Sequence, residues 1–432
     1  MVAAPTVHLL DFRAFVRRAP LRMPFHFGAV EMTDLELIAL RLDVAVEGTA
    51  TPGHTESVLS PLWFDRDPAR TPSEKREALL RAVHDAAVAH AAAGTGTPAQ
   101  LHRDTAGEER PLVASFGVAM VDAAVVDAVC RATGMPLHAV LELPAPAERI
   151  AVRHTVGLAD PLVASDLEGR LDDGLPETLE EAVREYGVRY FKLKVDADVE
   201  RTAERLRRVA EVLAREAPDY RLTLDGNETL PDAESFARWA AALAADKALA
   251  EPWSRTLWIE QPLARAAALA EPLPPIDKPV IIDESDATDD ALERAFALGY
   301  AGTSAKTCKG LFRTLHSFAA VQRRAGAILA GEDLTTVPML GLHQDLAVAA
   351  AIGCAHLERN GHHYVRGLGF LSEREQSDAL RHFPSLYRTL DDGTPALRIV
   401  DGMLATGEVN NLAFGAPFEP EWDAYEELEL PG

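Results

Sequence analysis

The chain of 432 residues is too long for one small core, and it predicts two or three domains unless one of them is a large barrel of roughly 250 residues. Hydrophobic residues make up 47% of the sequence and charged residues 25%, as in packed globular proteins. The formal charge of -24 would repel phosphate backbones and anionic lipid headgroups, which argues against nucleic-acid and membrane partners. The three cysteines lack metal-type spacing and no run of about 18 apolar residues occurs, so we expect a soluble, cytoplasmic protein with reduced thiols.

Residues 1–145 are predicted to form an α+β domain in which strands precede helices. Residues 21–48 alternate polar and apolar side chains between turn signals, as an antiparallel meander does. Residues 73–93 and 118–134 carry apolar side chains at three- and four-residue spacing, and Gly134 and Pro136 form a stop signal after the second stretch. Two helices are therefore expected to pack against the meander.

From residue 146 onward, short apolar runs alternate strictly with amphipathic helices. This alternation predicts a parallel sheet, and eight strands over about 210 residues fit a closed (β/α)₈ barrel of the TIM type between residues 146 and 385. An open doubly wound sheet is the alternative, but it would need a glycine-rich phosphate turn, which residues 154–161 (HTVGLADP) lack. The predicted strands are 150–156, 189–195, 221–227, 257–262, 279–285, 302–307, 327–333 and 355–361.

The last segment, residues 386–432, is predicted to return to the N-terminal domain and to complete it. A helical pattern at residues 372–390 leads into this segment, and residues 397–405 (LRIVDGMLA) have a strand-like pattern. The N-terminal domain, the barrel and the returning segment together make an α/β protein with a cap on its barrel.

Charged side chains stand at the predicted ends of consecutive barrel strands. The carboxyl ends of all strands in a barrel meet in one mouth, where such enzymes carry out their chemistry. A single acidic residue there is explained equally well by a helix cap or a salt bridge, whereas three on consecutive strands indicate a common site. The set runs from strand two to strand six and consists of Lys192, Lys194, Asp225, Glu260, Asp283 and Lys306.

Three converging carboxylates need a positive partner, because each pair about 4 Å apart would repel by roughly 4 kcal/mol at an effective dielectric near 20. A ligand set that contains only oxygen favours a hard cation, so we expect Mg²⁺, with Mn²⁺ next and zinc well behind. The metal, burial and the neighbouring Lys192 should lower the pKa of Lys194 and Lys306 toward neutrality, as a general base requires. For the adjacent lysines of strand two, a solvated strand face is the alternative.

This arrangement suits removal of a proton next to a carboxylate group. Strands two and six are four apart in a ring of eight, so Lys194 and Lys306 should face each other across the mouth. The metal and Lys192 would stabilise the second negative charge of an enediolate while Lys194 or Lys306 takes the proton. The expected partner is a small-molecule carboxylate.

Five motifs resemble those of the enolase superfamily, in its branch of muconate lactonizing enzymes, dipeptide epimerases and o-succinylbenzoate synthases, within the mandelate racemase/muconate lactonizing enzyme family. The resemblance covers nearly the whole chain. It implies that Asp225, Glu260 and Asp283 bind magnesium, that Lys194 and Lys306 form the acid/base pair, that N-terminal loops, with His26 and His54 in them, close over the substrate, and that the protein is a homo-oligomer. The motifs are Lys192-Leu193-Lys194, Asp225-Gly226-Asn227, Glu260-Gln261-Pro262, Asp283-Glu284-Ser285 and Lys306.

The sequence departs from the pattern of this branch at positions that concern the substrate. Lys306 is followed by Thr-Cys-Lys-Gly-Leu in place of the usual Lys-x-Gly-Gly, and the Gly-x-Gly-Glu of the capping sheet is replaced by residues 48–57. Strand seven lacks the histidine of the mandelate racemase branch, which argues against a His-Asp base. Substrate contacts are predicted for Asn227, Glu332, Asp333, Asn360, His362, His26 and His54.

Structural alternatives exist for several of these substrate contacts. Adjacent histidines such as His362 and His363 are often solvated or bonded to the backbone, and acids such as Glu332 and Asp333 often cap the next helix. Cys308 is expected to fill space in the core, since no histidine pairs with it.

The predicted function is therefore magnesium-dependent α-proton abstraction from a carboxylate, with racemisation, epimerisation or cycloisomerisation as the outcome. Dehydration of an acid sugar, or another β-elimination, is an alternative within the same superfamily. A non-catalytic barrel that keeps the metal and a hydrolase that uses metal-bound water are alternatives from other classes.

Overall fold

A computed structural model describes residues 4–27, 30–107, 111–411 and 413–432. In these residues the strands form a four-stranded antiparallel sheet, a closed barrel with one added edge strand, and a two-stranded hairpin. The strands are β1 (Val7–Phe27), β2 (Val30–Val46), β3 (Thr49–Val58), β4 (Arg149–Val156), β5 (Tyr190–Lys194), β6 (Arg221–Asp225), β7 (Thr256–Glu260), β8 (Val280–Ile282), β9 (Gly302–Ala305), β10 (Ile328–Gly331), β11 (His356–Arg359), β12 (Tyr387–Thr389), β13 (Pro395–Leu397), β14 (Met403–Ala405) and β15 (Glu426–Leu428).

The helices flank these strands in the order that the alternating pattern predicts. They are α1 (Pro61–Phe64), α2 (Pro72–Ala92), α3 (Pro98–Ala106), α4 (Leu112–Thr133), α5 (Leu137–Val140), α6 (Leu179–Tyr186), α7 (Val199–Glu216), α8 (Ala233–Ala245), α9 (Ala250–Arg255), α10 (Arg265–Ala268), α11 (Ala291–Ala297), α12 (Leu311–Gln322), α13 (Leu340–Ala351), α14 (Gly361–Tyr364), α15 (Glu373–His382) and α16 (Gly407–Asn410).

The predicted barrel is confirmed. Strands β4 to β11 pair in parallel in sequence order, and β11 closes the ring on β4 from His356 opposite Ala151 to Arg359 opposite His154. The open doubly wound sheet is therefore wrong. Because helices cover the outside and side chains fill the inside, the barrel strands are buried on both faces, which explains their apolar runs.

The N-terminal sheet packs on α2 and α4 to form the cap. Close approach is possible because glycine occupies two contact points: a Cβ at Gly53 would lie 2.0 Å from the Ala124 carbonyl oxygen, and one at Gly117 would lie 1.9 Å from that of Ala82. Helix α4 ends at Gly134 in the left-handed conformation (φ 65°), as the stop signal predicts. The loop expected around His54 is instead strand β3, because β2 offers it a pairing edge over ten residues and α4 covers it.

Helix α4 is long and apolar enough to cross a membrane by length and composition alone. Most of it is buried, however, because it packs between α2 and the strands β2 and β3. This arrangement is that of a core helix of the cap.

The C-terminal segment divides between the two domains. Strand β15 pairs with β1 of the capping sheet, as the predicted return requires. The strand expected at 397–405 lies instead on the barrel, where Leu404 of β14 pairs opposite Ile150 of β4 and is buried. The reason is that the first residues of β4 leave a free edge that β14 can extend. The domain boundaries at residues 145 and 385 remain predictions.

Two arginines hold the cap on the mouth of the barrel. Arg22 of β1 pairs with Asp173 at 2.6 Å and donates a hydrogen bond to the carbonyl oxygen of His363 at 3.0 Å. Arg265 of α10 pairs with Glu228 at 2.7 Å and donates to the carbonyl oxygens of α1. These contacts place the end of β1 and helix α1 directly over the strand ends.

Candidate active site

The charged residues predicted at the strand ends do lie together at the carboxyl mouth of the barrel. Lys192 and Lys194 share one face of β5, and both are buried, with exposed fractions of 0% and 7%. The solvated strand face is therefore wrong for this pair. The three carboxylates and Lys306 are also buried, so every charge in the group must find its partner inside the protein.

Lys192 is the centre of this group. Its Nζ atom lies within 3.0 Å of carboxylate oxygens from four residues: Asp225, Glu260, Glu332 and Glu358. Burial disfavours the charged form of Lys192, but these four carboxylates outweigh burial and hold its pKa well above the ordinary value. The ammonium group therefore neutralises the strand ends from within the barrel.

The other two lysines each hold one of the proposed metal ligands. Lys194 Nζ lies 2.6 Å from Asp225 Oδ2, and Lys306 Nζ lies 2.6 Å from Asp283 Oδ2. The sequence predicts a lowered pKa for Lys306 beside a bound metal, whereas the contact with Asp283 in this structure acts in the opposite direction. Burial does favour the neutral amine, but direct contact with Asp283 outweighs burial and raises the pKa of Lys306 well above its ordinary value.

The three predicted ligand carboxylates differ in their electrostatic balance. Burial acts against ionisation of all three, but the lysines lower the pKa of Asp225 and Asp283 below the ordinary value. Burial, followed by the charge of Asp225, raises the pKa of Glu260 well above it. One oxygen of Glu260, Oε2, is buried without a hydrogen bond. The group therefore holds an excess of buried negative charge around Glu260.

The donor chemistry of these carboxylates fits a hard divalent cation, because all three supply oxygen and the charge around Glu260 lacks full compensation. Their present arrangement does not form a metal site: no group of three or more His, Cys, Asp or Glu among the described residues is placed to hold an ion. The reason is that Lys192 lies between Asp225 and Glu260, while Lys306 holds Asp283. A cation would have to displace these ammonium contacts.

The glutamine of the Glu-Gln-Pro motif fixes the neighbouring strand end. Its Oε1 atom accepts the backbone N–H groups of Asp283 at 2.8 Å and Ser285 at 3.1 Å, and its Nε2 donates to Ser285 Oγ at 2.8 Å. Gln261 thus ties strand β7 to the turn after β8. This explains why the sequence places glutamine between Glu260 and Pro262.

An internal cavity of about 40 Å³ lies between this group and the cap. Lys194 and Lys306 both line it, and Lys192 is not among its described lining residues. Trp63 of α1 covers the cavity, with its ring centroid 4.8 Å from Lys306 Nζ, and Phe25 of β1 lies beside it. The cap thus closes the side of the site that faces solvent.

Three of the predicted substrate contacts, Asn227, Asp333 and Asn360, line the same cavity. Asn360 Oδ1 is buried without a hydrogen bond, so it can accept one from a ligand. Asp333 accepts the backbone N–H groups of Thr336 and Asn360, but it does not cap the next helix, α13, whose N-cap residue is Met339. Glu332 is not among the described lining residues, because Arg153 and Lys192 hold its carboxylate.

The predicted histidine contacts lie outside this cavity. His54 is fully buried in the cap, 3.2 Å from Glu419 and 3.7 Å from Asp127, because β3 is a strand covered by α4 and not a loop over the mouth. His26 lines an outer cleft. His362 packs inward, where its Nε2 lies 3.0 Å from His154 Nδ1.

We expect this buried histidine cluster, His154, His362 and His363, to make the protein sensitive to acid. Burial lowers the pKa of His154 from 6.5 to about 4, so the folded state resists protonation while the unfolded state does not. The contribution of neutral His154 to the free energy of unfolding is therefore complete above pH 6.5 and is lost as the pH falls toward 4. At pH 5 this loss is roughly 2 kcal/mol. Urea unfolding of wild type and His154→Phe at pH 7.5 and pH 5 measures it.

The pH-dependent loss should be smaller in His154→Phe than in wild type. A variant of an exposed histidine, His316→Phe, serves as the matched control and should keep the wild-type loss. An equal loss in wild type and in His154→Phe would contradict the assignment.

Sequence reasoning missed Glu358, Arg153 and Trp63. Glu358 could have been found, because it lies two residues before Asn360 and so shares its face of the strand end. Arg153 lies among apolar residues of β4, and a single buried arginine gives no signal of its partner. Trp63 reaches Lys306 across 243 residues of chain, and only the docking of the cap brings them together.

Known proteins resemble this chain in sequence over the barrel and in fold over nearly its whole length. Residues 174–388 match the family described as enolase C-terminal domain-like. No curated protein matches the chain. Among solved structures, an enolase from Bradyrhizobium complexed with magnesium and mandelic acid is 17% identical, with a TM-score of 0.66 over 99% of both chains.

Two further solved structures have similar folds. A dipeptide epimerase from Enterococcus faecalis, complexed with Mg and the dipeptide L-Leu-L-Tyr, is 15% identical, with a TM-score of 0.63 over 94% of this chain and 99% of that chain. An N-succinyl Arg/Lys racemase from Bacillus cereus is 16% identical, with a TM-score of 0.62 over 94% and 98%. At these identities the likeness shows the fold.

The closed barrel, the cap and the charged mouth define the class of this protein: a (β/α)₈-barrel enzyme whose active-site mouth is covered by a cap. The match over residues 174–388 assigns the barrel to the enolase superfamily, in its mandelate racemase/muconate lactonizing enzyme branch.

Proposed function

We propose that this protein abstracts an α-proton from a small carboxylate substrate. It then returns a proton to the same carbon, as a racemase or epimerase does, or releases a β-oxygen that stays within the molecule and so opens a ring, the reverse of which is the ring closure of a cycloisomerase. The observation that carries the proposal is that Lys194 and Lys306 line one cavity from strands on opposite sides of the barrel. Two amines that flank a bound α-carbon can remove a proton from one face and deliver one to the other. This favours racemisation or epimerisation over elimination.

Asp225, Glu260 and Asp283 are proposed to hold Mg²⁺, with Mn²⁺ as a possible substitute. When bound, the ion would supply positive charge to the substrate carboxylate and so acidify the α-proton. Displacement of Lys194 from Asp225 and of Lys306 from Asp283 would leave both amines free to face the substrate. Removal of those carboxylate contacts also removes what raises the pKa of Lys306.

Other residues of the chain would position the substrate. Asn360 Oδ1 offers an unused acceptor, and Asn227 lines the same cavity. Trp63 and Phe25 exclude water above the reacting carbon, which strengthens every charge interaction within the site. Lys192 balances the buried carboxylates below the cavity.

The test is α-deuterium uptake in deuterated water. The full chain is incubated with N-acyl amino acids, dipeptides and sugar acids, with Mg²⁺ or after chelation with EDTA, and uptake is followed by mass spectrometry. Uptake is expected with Mg²⁺, should fall by at least 100-fold after chelation, and should return when Mg²⁺ is restored. The reason is that the ion neutralises the carboxylate of the substrate and so acidifies its α-proton.

Several outcomes would contradict the proposal. Uptake that persists after chelation would show that the reaction needs no metal. Cleavage of a substrate without α-deuterium would indicate the hydrolase, loss of water from a sugar acid would indicate the dehydratase, and Mg²⁺ binding without any turnover would indicate the non-catalytic barrel.

A further inference from the structure

The two lysines that line the inner cavity differ in what holds them. Both are buried, and the Nζ atom of each lies 2.6 Å from a carboxylate oxygen, of Asp225 for Lys194 and of Asp283 for Lys306. Lys306 has a second neighbour, because its Nζ atom lies 4.8 Å from the ring centroid of Trp63. In the part of the chain that the structure describes, no aromatic ring makes such a cation–π contact with Lys194.

The ring of Trp63 has a place that does not depend on the ammonium group beneath it. Arg265 pairs with Glu228 at 2.7 Å and donates hydrogen bonds to the carbonyl oxygens of Trp63 and Phe64, at 3.0 Å each. Phe64 packs on Phe116 of α4, with ring centroids 5.0 Å apart. Helix α1 is thus fixed to both the barrel and the core of the cap, and Trp63 is only 4% exposed.

The proposed function requires Lys306 to leave the carboxylate of Asp283, because that carboxylate is to bind the metal ion. A lysine side chain is long and flexible, so an amine that loses its partner also loses its defined position. The ring of Trp63 would remain in contact with it. An indole face attracts an ammonium group more strongly than other rings do, and the attraction is largest where water is excluded.

We propose that Trp63 is a positioning residue for Lys306, whose amine it holds at its side of the cavity once Asp283 binds the metal ion. The inference rests on the proposed function, in which both lysines leave their carboxylates. The ring would also stabilise the positive charge that develops on Lys306 as this amine takes the α-proton. Lys194 has no such ring, so Trp63 should act on only one of the two enantiomers of a substrate.

The test is α-deuterium uptake from each pure enantiomer with Mg²⁺ present. Lys306→Ala first identifies the enantiomer that Lys306 serves. The readout is the uptake rate from this enantiomer divided by the rate from the other one, so that a general loss of activity cancels. Trp63→Leu is expected to lower this ratio by about 10- to 30-fold, the size of a cation–π contact without water. Trp63→Phe keeps a ring face and should retain a large part of the wild-type ratio.

The matched control is Trp422→Leu, which removes a different tryptophan that packs on the capping sheet. The ring of Trp422 stacks on Phe15, with centroids 4.6 Å apart, and Trp422 is not among the described lining residues of the cavity. This variant should keep the wild-type ratio. The thermal midpoint of each variant shows that it is folded.

A second measurement needs no turnover. The chain has only seven lysines, so protein labelled with ¹³C at the lysine Cε atoms gives few NMR signals, and Lys306→Arg identifies that of Lys306. The Trp63 ring current should displace this signal, and the displacement should persist in wild type when Mg²⁺ is added and be absent in Trp63→Leu. A wild-type signal that moves with Mg²⁺ to its position in Trp63→Leu would overturn the proposal, because the amine then leaves the ring.

The two measurements separate this proposal from the proposed function. An uptake ratio that Trp63→Leu leaves unchanged, or a loss that falls on the enantiomer served by Lys194, would overturn the role of Trp63 while the proposed function stands. If wild type takes up no α-deuterium from any substrate, the proposed function fails. The NMR signal of Lys306 with Mg²⁺ then decides by itself whether Trp63 holds this amine.

Discussion

Replacement of Lys306 with alanine is expected to lower α-deuterium uptake from one enantiomer of a substrate by about 10²- to 10⁴-fold, the usual contribution of a general base. Lys194→Ala should do the same for the opposite enantiomer, because the two amines line the cavity from facing strands. Each variant should retain part of the uptake from the enantiomer that the other lysine serves. The measurement is the uptake rate from each pure enantiomer with Mg²⁺ present.

The matched control is Lys247→Ala, which changes an exposed lysine between α8 and α9 and should leave both rates unchanged. Circular dichroism must show that each variant is folded, since Asp283 loses its closest cation in Lys306→Ala. Wild-type uptake from both enantiomers in both variants would refute the acid/base pair. Loss in only one variant, for both enantiomers, would leave a single base and favour cycloisomerisation or elimination.

Replacement of Lys192 with methionine is expected to destabilise the protein by about 3–5 kcal/mol at neutral pH, because it leaves buried carboxylates without their shared cation. This is a large part of a total stability of about 5–15 kcal/mol. Without the lysine, burial and mutual repulsion raise the pKa of Glu260 and its neighbours further. Carboxyl groups with a raised pKa in the folded state stabilise it at low pH and lose that contribution as the pH rises.

The loss of unfolding free energy in Lys192→Met should therefore be larger at pH 8 than at pH 5. Urea unfolding of wild type and variant at both pH values measures it, and Lys247→Met, at an exposed position, should show almost no deficit at either. A deficit that does not depend on pH would show that packing of the lysine stem, and not its charge, is what matters.

The position of Lys192 shows where sequence reasoning reached its limit. Its place on β5 and its neighbours Asp225 and Glu260 followed from the strand period and the barrel order. The closeness of Glu332 and Glu358, which make four carboxylates around one ammonium group, did not. The prediction of a lowered lysine pKa applies to the metal-bound site; in this structure the contact of Lys306 with Asp283 acts in the opposite direction and raises the pKa.

The cap illustrates a second limit. The stop signal of α4 and the two helices were readable, yet His54 was expected to lie in a loop over the mouth. In the folded protein, Gly53 permits the close approach of α4, which keeps β3 in the sheet and buries His54. Packing between β3 and α4, and not a local pattern of the chain, thus decides where His54 lies.

The sequence by itself determined the barrel, the order of its strands and the strand end on which each charged residue stands, because strand period and strand–helix alternation are local properties of the chain. Only the tertiary structure decided which charges touch and how the cap covers Lys306 with Trp63. Those facts depend on contacts between residues far apart in the chain, and contact energies, not local periodicity, select them.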